Sequence, residues 1–127
     1  MINIPLYRAK KIDSDEYVEG LLSHRIESEK VIGISYDGVA FCDPSTLSIH
    51  FPDMLDSQGN KIFASLSKDG KGGDCTFMEN GYNETFMWDS LNGCIVLKSP
   101  NYECRCFKSG NRNETTFNKY TIIGIQE

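Results

Sequence analysis

The chain has 127 residues, a formal charge of −5, 24% charged residues and 39% apolar residues. That length fits one domain able to bury a core without staples, and the apolar share is too high for intrinsic disorder. The acidic balance argues against a broad phosphate-neutralising surface, and no run of about 18 apolar residues suggests a membrane span.

In chain order, Ile4 to Arg8 reads as a first strand, followed by a polar turn at Lys10 to Asp15 and a second strand from Tyr17 to Leu22. The short polar interval makes a hairpin the natural connection. Ser23 to Lys30 is the stretch that could form a short helix. Val31 to Tyr36 is a third strand ended by Asp37-Gly38, and Val39 to Cys42 is a fourth, stopped at Asp43-Pro44 because proline donates no ladder hydrogen bond. Ser45 to Phe51 alternates polar and apolar, with Leu47, Ile49 and Phe51 on one face, which predicts a strand with one wet side and turns His50 toward solvent.

Ser57-Gln58-Gly59-Asn60 is a turn, Lys61 to Leu66 a short apolar segment, and Lys68 to Asp74 a glycine-rich stretch expected to be an exposed, mobile loop. Cys75 to Glu79, Glu84 to Trp88, Gly93 to Lys98, Tyr102 to Phe107 and Lys119 to Ile125 complete the predicted strands. Asn80-Gly81, Asn92-Gly93 and Gly110-Asn111 lie between them as turns. Many short strands at close spacing predict a mainly β single domain, a small barrel or a sandwich.

Five cysteines (Cys42, Cys75, Cys94, Cys104 and Cys106) are odd in number and irregularly spaced. They read as reduced thiols packed in strands rather than a disulfide scaffold. The N-terminus shows no basic segment leading into an apolar core, so no secretory signal is expected and the chain reads as a complete cytoplasmic polypeptide. Asn83-Glu84-Thr85 and Asn113-Glu114-Thr115 then read as polar turn sequence rather than glycosylation acceptors.

Few constellations offer chemistry. Cys104-Arg105-Cys106 with Cys94 or His50 resembles a metal set, but structural zinc sites bring ligands in Cys-x2–4-Cys pairs, and a second pair is missing. A Cys/His nucleophile pair has His24 and His50 as its possible bases. Asp13, Asp15, Glu16 and Glu19 cluster beside Lys10 and Lys11 in a turn and read as solvated charge. Asp69-Gly70-Lys71-Gly72-Gly73-Asp74 lacks the Lys-Ser/Thr step and the helix of a phosphate loop, and Asp53 to Asn60 misses the ligand offsets of an EF-hand. Phe77, Tyr82, Phe86, Trp88, Tyr102, Phe107, Phe117 and Tyr120 concentrate in the second half, where core packing competes with an exposed stacking face. No cofactor or metal is expected.

Four passages resemble one family. Tyr7-Arg8-Ala9, Asp43-Pro44-Ser45-Thr46-Leu47 and Asp56-Ser57-Gln58-Gly59-Asn60-Lys61-Ile62-Phe63 are similar to the YopX family of phage and prophage proteins, as is the closing Thr121-Ile122-Ile123-Gly124-Ile125. The sequence departs from that family where Tyr7-Arg8-Ala9 lacks a following Trp and where a compact ending is stretched into Phe63 to Asp74, as in a divergent member. The resemblance implies a YopX-like fold over residues 1–127, with N-terminal strands over about 1–42 and an SH3-like barrel in the C-terminal portion, about 43–127. It also implies a phage or prophage setting and homo-oligomerisation, and it carries no reaction and no site residues.

The functional expectation is a non-enzymatic protein-interaction or assembly module with an unidentified protein partner and no membrane association. The rival is a nucleic-acid-associated factor using Lys98, Arg105, Lys108 and Arg112 with Tyr102 and Phe107.

Overall fold

The computed structural model describes residues 5–28, 31–35, 38–77, 83–91, 93–98, 103–107, 117 and 120–127. Among these residues eleven strands form one curled sheet: β1 Leu6–Lys10, β2 Tyr17–Ser28, β3 Val31–Ser35, β4 Val39–Cys42, β5 Ser48–His50, β6 Ala64–Ser65, β7 Asp74–Phe77, β8 Asn83–Asp89, β9 Cys94–Lys98, β10 Glu103–Phe107 and β11 Ile122–Ile125. The expected mainly β, barrel-like class holds. Among the described residues no helix is long and apolar enough to cross a membrane.

The strand order is β10-β9-β8-β6-β5-β1-β2-β3-β4, with β7 on β8 and β11 on β7. β1 is the hinge of this order, pairing with β2 on one side (Lys10 opposite Tyr17) and with β5 on the other (Tyr7 opposite Ile49). The first four strands curl until β4 meets the end of β1. There Lys11 bridges Cys42, the Ile12 N–H donates to the Phe41 carbonyl (3.1 Å), and the Asp43 N–H donates to the Lys10 carbonyl (2.9 Å). Closure of this kind pairs an edge that would otherwise be open.

Among the described residues, two larger cores and a small cluster of Met87, Cys94 and Val96 follow from the alternation of side chains along these strands. Ala9, Val18, Ile34 and Cys42 fill the curl of the first four strands. Ile49, Met54, Ile62, Ala64, Phe86, Ile95, Leu97 and Tyr120 form the second, with Phe51, Trp88, Phe117 and Ile122 packed against it. The Phe86 and Tyr120 rings meet edge to face at 5.9 Å, a favourable arrangement for aromatic quadrupoles.

Several local expectations are corrected. Ser23 to Ser28 continues β2 instead of turning helical, because cross-strand pairing with β3 (Ser23 opposite Gly33) satisfies its backbone in extended form. Ser45 does not begin a strand. Asp43 accepts from the Ser45 N–H (2.9 Å) and hydroxyl (2.8 Å), and Pro44–Thr46 coils into a 3-10 turn. Proline at the first position of such a turn sacrifices no hydrogen bond.

The strand that follows, β5, has no wet side: Ser48, Ile49 and His50 are all buried, Ile49 in a hydrophobic core and His50 against the Phe63 ring, which covers what would have been the wet face. Asn83-Glu84-Thr85 is not a turn but the start of β8, with Glu84 and Thr85 buried.

The glycine-rich loop is corrected most. Lys68 and Asp69 are exposed, but Gly70, Gly72, Gly73 and Asp74 are buried. Gly72 adopts φ +84°, and a Cβ there would overlap the Thr46 carbonyl. The Gly72 N–H donates to the Gln126 carbonyl and the Gln126 N–H to the Gly73 carbonyl, both at 2.8 Å. Here glycine serves close backbone approach rather than mobility.

Candidate functional site

A shallow cleft of about 730 Å³ opens at the mouth of the first four strands. Three segments surround it: the β1–β2 turn, the 3-10 turn and the glycine-rich loop. They bring together three ammonium groups (Lys10, Lys11, Lys71) and two carboxylates (Asp15, Asp43), with the hydroxyls of Ser14 and Ser45 between them. Volumes of this order hold small ligands or a short peptide segment.

Each segment is held by local chemistry. Thr46, wholly buried, accepts from the Lys10 N–H (2.9 Å) and donates to the Asp43 carbonyl (2.6 Å), which ties the 3-10 turn to the end of β1. The Lys71 N–H donates to Asp69 Oδ1 (3.1 Å), while the Lys71 carbonyl accepts from the Ser65 hydroxyl (2.8 Å). The Lys71 side chain therefore projects from a fixed backbone, and it forms no ion pair among the described residues.

Lys10 lies 3.4 Å from Asp15 and 3.7 Å from Glu127, and Lys11 lies 3.3 Å from Glu16. The hydrogen bond that Lys10 donates to Asp15 holds its ammonium above the ordinary amine value against the desolvation that opposes it, and Glu127 adds to the effect. Asp43 is partly desolvated, yet the two bonds from Ser45 win and keep its carboxyl below the usual range.

Below the cleft runs a buried polar strut. Arg8 Nη2 donates to Asp74 Oδ1 and to the Gly72 carbonyl, each at 2.8 Å. Asp74 Oδ2 accepts from the Phe63 N–H and the Asp74 N–H returns a bond to the Phe63 carbonyl, again both at 2.8 Å. The guanidinium stacks over Phe63, 4.5 Å from the ring centroid, with Tyr17 at 5.6 Å. Arg8 Nε and Tyr17 Oη are buried and have no hydrogen-bond partner among the described residues. Burial, reinforced by Glu127, raises the Tyr17 phenol above its ordinary value.

The residues singled out in the sequence fall elsewhere. His50 is buried, not solvent-facing: its Nδ1 lies 3.0 Å from the Ile62 carbonyl and its ring 5.4 Å from Phe63. Cys42, Cys75 and Cys94 are buried thiols. Burial pushes the Cys42 thiol up to about 11 and Cys75 upward too, so both are held as neutral thiols, poor nucleophiles. The side chains of Cys104, Cys106, Arg105 and Phe107, like His24, Lys108, Arg112, Tyr82 and Tyr102, lie outside the described residues. Lys98 is half-buried at the end of β9.

Asp13, Asp15, Glu16 and Glu19 are exposed, in keeping with solvated charge. Phe86 and Tyr120 are core, and Trp88 and Phe117 pack against it. Sequence reading missed Arg8, Asp74 and Lys71. A cation inside the apolar run Leu6-Tyr7-Arg8-Ala9 was the available signal, since a charge within a buried strand demands a partner. No protein-family model, no curated protein and no solved structure matches the chain.

Proposed function

We propose that this chain is a non-catalytic interaction and assembly module of a phage or prophage-like element, akin to the YopX family its sequence resembles, and that it self-associates through β4. The observation that carries this reading is the open half of the β4 edge. Ile12 and Lys10 cover the Phe41–Asp43 end, whereas among the described residues Val39 has no strand beyond it, and it is 46% exposed. By the strand's alternation Val39 turns its backbone N–H and carbonyl outward, as Phe41 does.

Leu21, Ser35 and Val39 stand opposite one another across β2, β3 and β4, which sets Leu21 and Val39 on one face. Leu21 is itself 47% exposed. The edge segment Val39-Ala40-Phe41 carries no charge or proline of the kind that blocks edge pairing. An antiparallel pair of such edges is self-complementary, as a two-fold dimer requires. The burial of Cys42, Cys75 and Cys94 adds support for the non-catalytic part of the reading.

Size-exclusion chromatography with light scattering on protein purified without nuclease tests it. A discrete oligomer that Val39→Lys shifts to monomer is the expected result. A monomer at every concentration overturns self-association. Nucleic acid that co-elutes and is stripped by salt would instead favour a nucleic-acid role, to be pursued at Arg105 and Arg112. Turnover of a substrate, abolished by one polar substitution, would overturn the non-catalytic part.

A further inference from the structure

We infer that the β1–β2 turn is an edge guard, which occupies part of the β4 edge and so limits how far a second copy of this chain pairs there. The inference rests on the self-association reading and names the element that regulates it.

The turn is longer than its hairpin requires. Lys10 and Tyr17 are the last paired residues of β1 and β2, and a two-residue loop can close such a pair. Six residues, Lys11 to Glu16, stand there instead. Those nearest β1 turn onto β4. Lys11 bridges Cys42, the Ile12 N–H donates to the Phe41 carbonyl at 3.1 Å, and the Lys10 carbonyl accepts from the Asp43 N–H at 2.9 Å.

Within itself the turn is braced. The Lys11 N–H donates to the Glu16 carbonyl (2.9 Å), the Glu16 N–H donates to the Ser14 hydroxyl (3.2 Å), and the Lys11 ammonium lies 3.3 Å from Glu16. Ile12 to Glu16 are exposed, and Asp13, Asp15 and Glu16 put three carboxylates among them. The strand they guard, Val39-Ala40-Phe41-Cys42, carries no charge of its own. Exposed charge and a covering loop are both obstacles to edge-to-edge pairing.

The geometry sets the extent of pairing. In a two-fold antiparallel pair centred on Val39, the second copy's chain runs on beside Phe41, Cys42 and Asp43. Ile12, Lys11 and Lys10 already fill that lane. The second copy therefore pairs only at the Val39 end, and the ladder between copies is short. Without the turn, the Phe41 carbonyl and the rest of β4 become available to it.

The test replaces Lys11 to Glu16 by Asn-Gly, which keeps the Lys10–Tyr17 register, and measures self-association by sedimentation equilibrium. The shortened chain should associate about tenfold more tightly than the wild type, the worth of one or two added ladder hydrogen bonds. Val39→Lys in the shortened chain should abolish that gain; a gain that survives it overturns the assignment to β4. Equal association of the two chains overturns the guard and leaves self-association standing. A monomeric wild type beside an associating shortened chain supports the guard and overturns native self-association. Two monomers overturn both. If the shortened chain lacks a dispersed nuclear magnetic resonance spectrum, amide exchange in the wild type decides. The Ile12 and Asp43 amides should exchange at least about tenfold more slowly than that of Asp13, and equal rates overturn the guard.

Discussion

Arg8 and Asp74, 66 residues apart in the chain, meet as a 2.8 Å ion pair with almost no exposure to solvent. The pair joins the strand at the centre of the sheet to the end of the glycine-rich loop. Both partners are further bonded, Arg8 to the Gly72 carbonyl and Asp74 to the Phe63 N–H. Desolvating two charges is tolerated when geometry and extra hydrogen bonds compensate.

Removing one partner leaves the other charge buried and alone. Asp74→Ala and Arg8→Met should each cost about 3–5 kcal/mol in urea denaturation. The double variant should lose less than the sum of the two, because it strands no charge. A loss below about 1 kcal/mol in both single variants would falsify the strut.

Gly72 and Gly59 share nearly the same backbone, φ +84° and +83°, but different surroundings. A Cβ at Gly59 meets nothing within 4 Å, whereas at Gly72 it meets the Thr46 carbonyl. Gly59→Ala should therefore cost only the left-handed backbone penalty, about 1–2 kcal/mol. Gly72→Ala should cost distinctly more, and should also shift the amide signals of Lys10 and Thr46, the groups tied to the 3-10 turn. Equal losses from the two variants would show that the packing of the loop on Thr46 contributes little.

His50 links stability to pH. Burial first, and then the charge of Lys61, lower its pKa below 6.5, against the hydrogen bond to the Ile62 carbonyl, which raises it. The unfolded chain then binds the proton at a higher pH than the folded one. Stability from this group is full above the unfolded value and declines as pH falls from about 6.5 through the folded value. His50→Gln should flatten the slope of unfolding free energy between neutral and mildly acidic pH, and an unchanged slope in that variant would assign the effect elsewhere.

Glu84 is 1% exposed, and among the described residues neither of its carboxylate oxygens has a hydrogen-bond partner. It stands opposite Thr76 across β7 and β8, and the Thr76 hydroxyl is already committed to the Thr121 carbonyl. An uncompensated buried acid opposes folding, so Glu84→Met, of similar volume, should stabilise by about 1–4 kcal/mol. Thermal unfolding of the variant checks this; a lower midpoint would mean that the carboxylate is matched after all.

Asp56 shows how differently a buried carboxylate fares when the backbone is arranged around it. Its oxygens accept from the Gln58, Asn60 and Ile122 N–H groups at 2.8–3.1 Å. Although burial acts the other way, these bonds hold its pKa below the ordinary value. The Asp56-Ser57-Gln58-Gly59-Asn60 turn was legible in the sequence because Asp and Gly at those positions encode a turn locally. That the same aspartate also anchors β11 was not, since Ile122 is distant in the chain.

The sequence by itself determined the strands and most of their boundaries, and hence the mainly β class. Strand and turn signals are local: β-branched and aromatic runs, Asp-Gly and Asn-Gly steps, and Pro44 ending β4. Only the tertiary structure decided which side chains are buried and which charges meet. His50 has the alternation of a half-exposed strand, but Phe63, brought over it from beyond the Asp56–Asn60 turn, covers that face. Lys68 to Asp74 has the composition of a loose loop, yet its glycines are what let the backbone pack on Thr46 and carry Asp74 to Arg8. Burial is a property of neighbours brought together from far along the chain, so local pattern could not encode the Arg8–Asp74 strut or the lysine cleft above it.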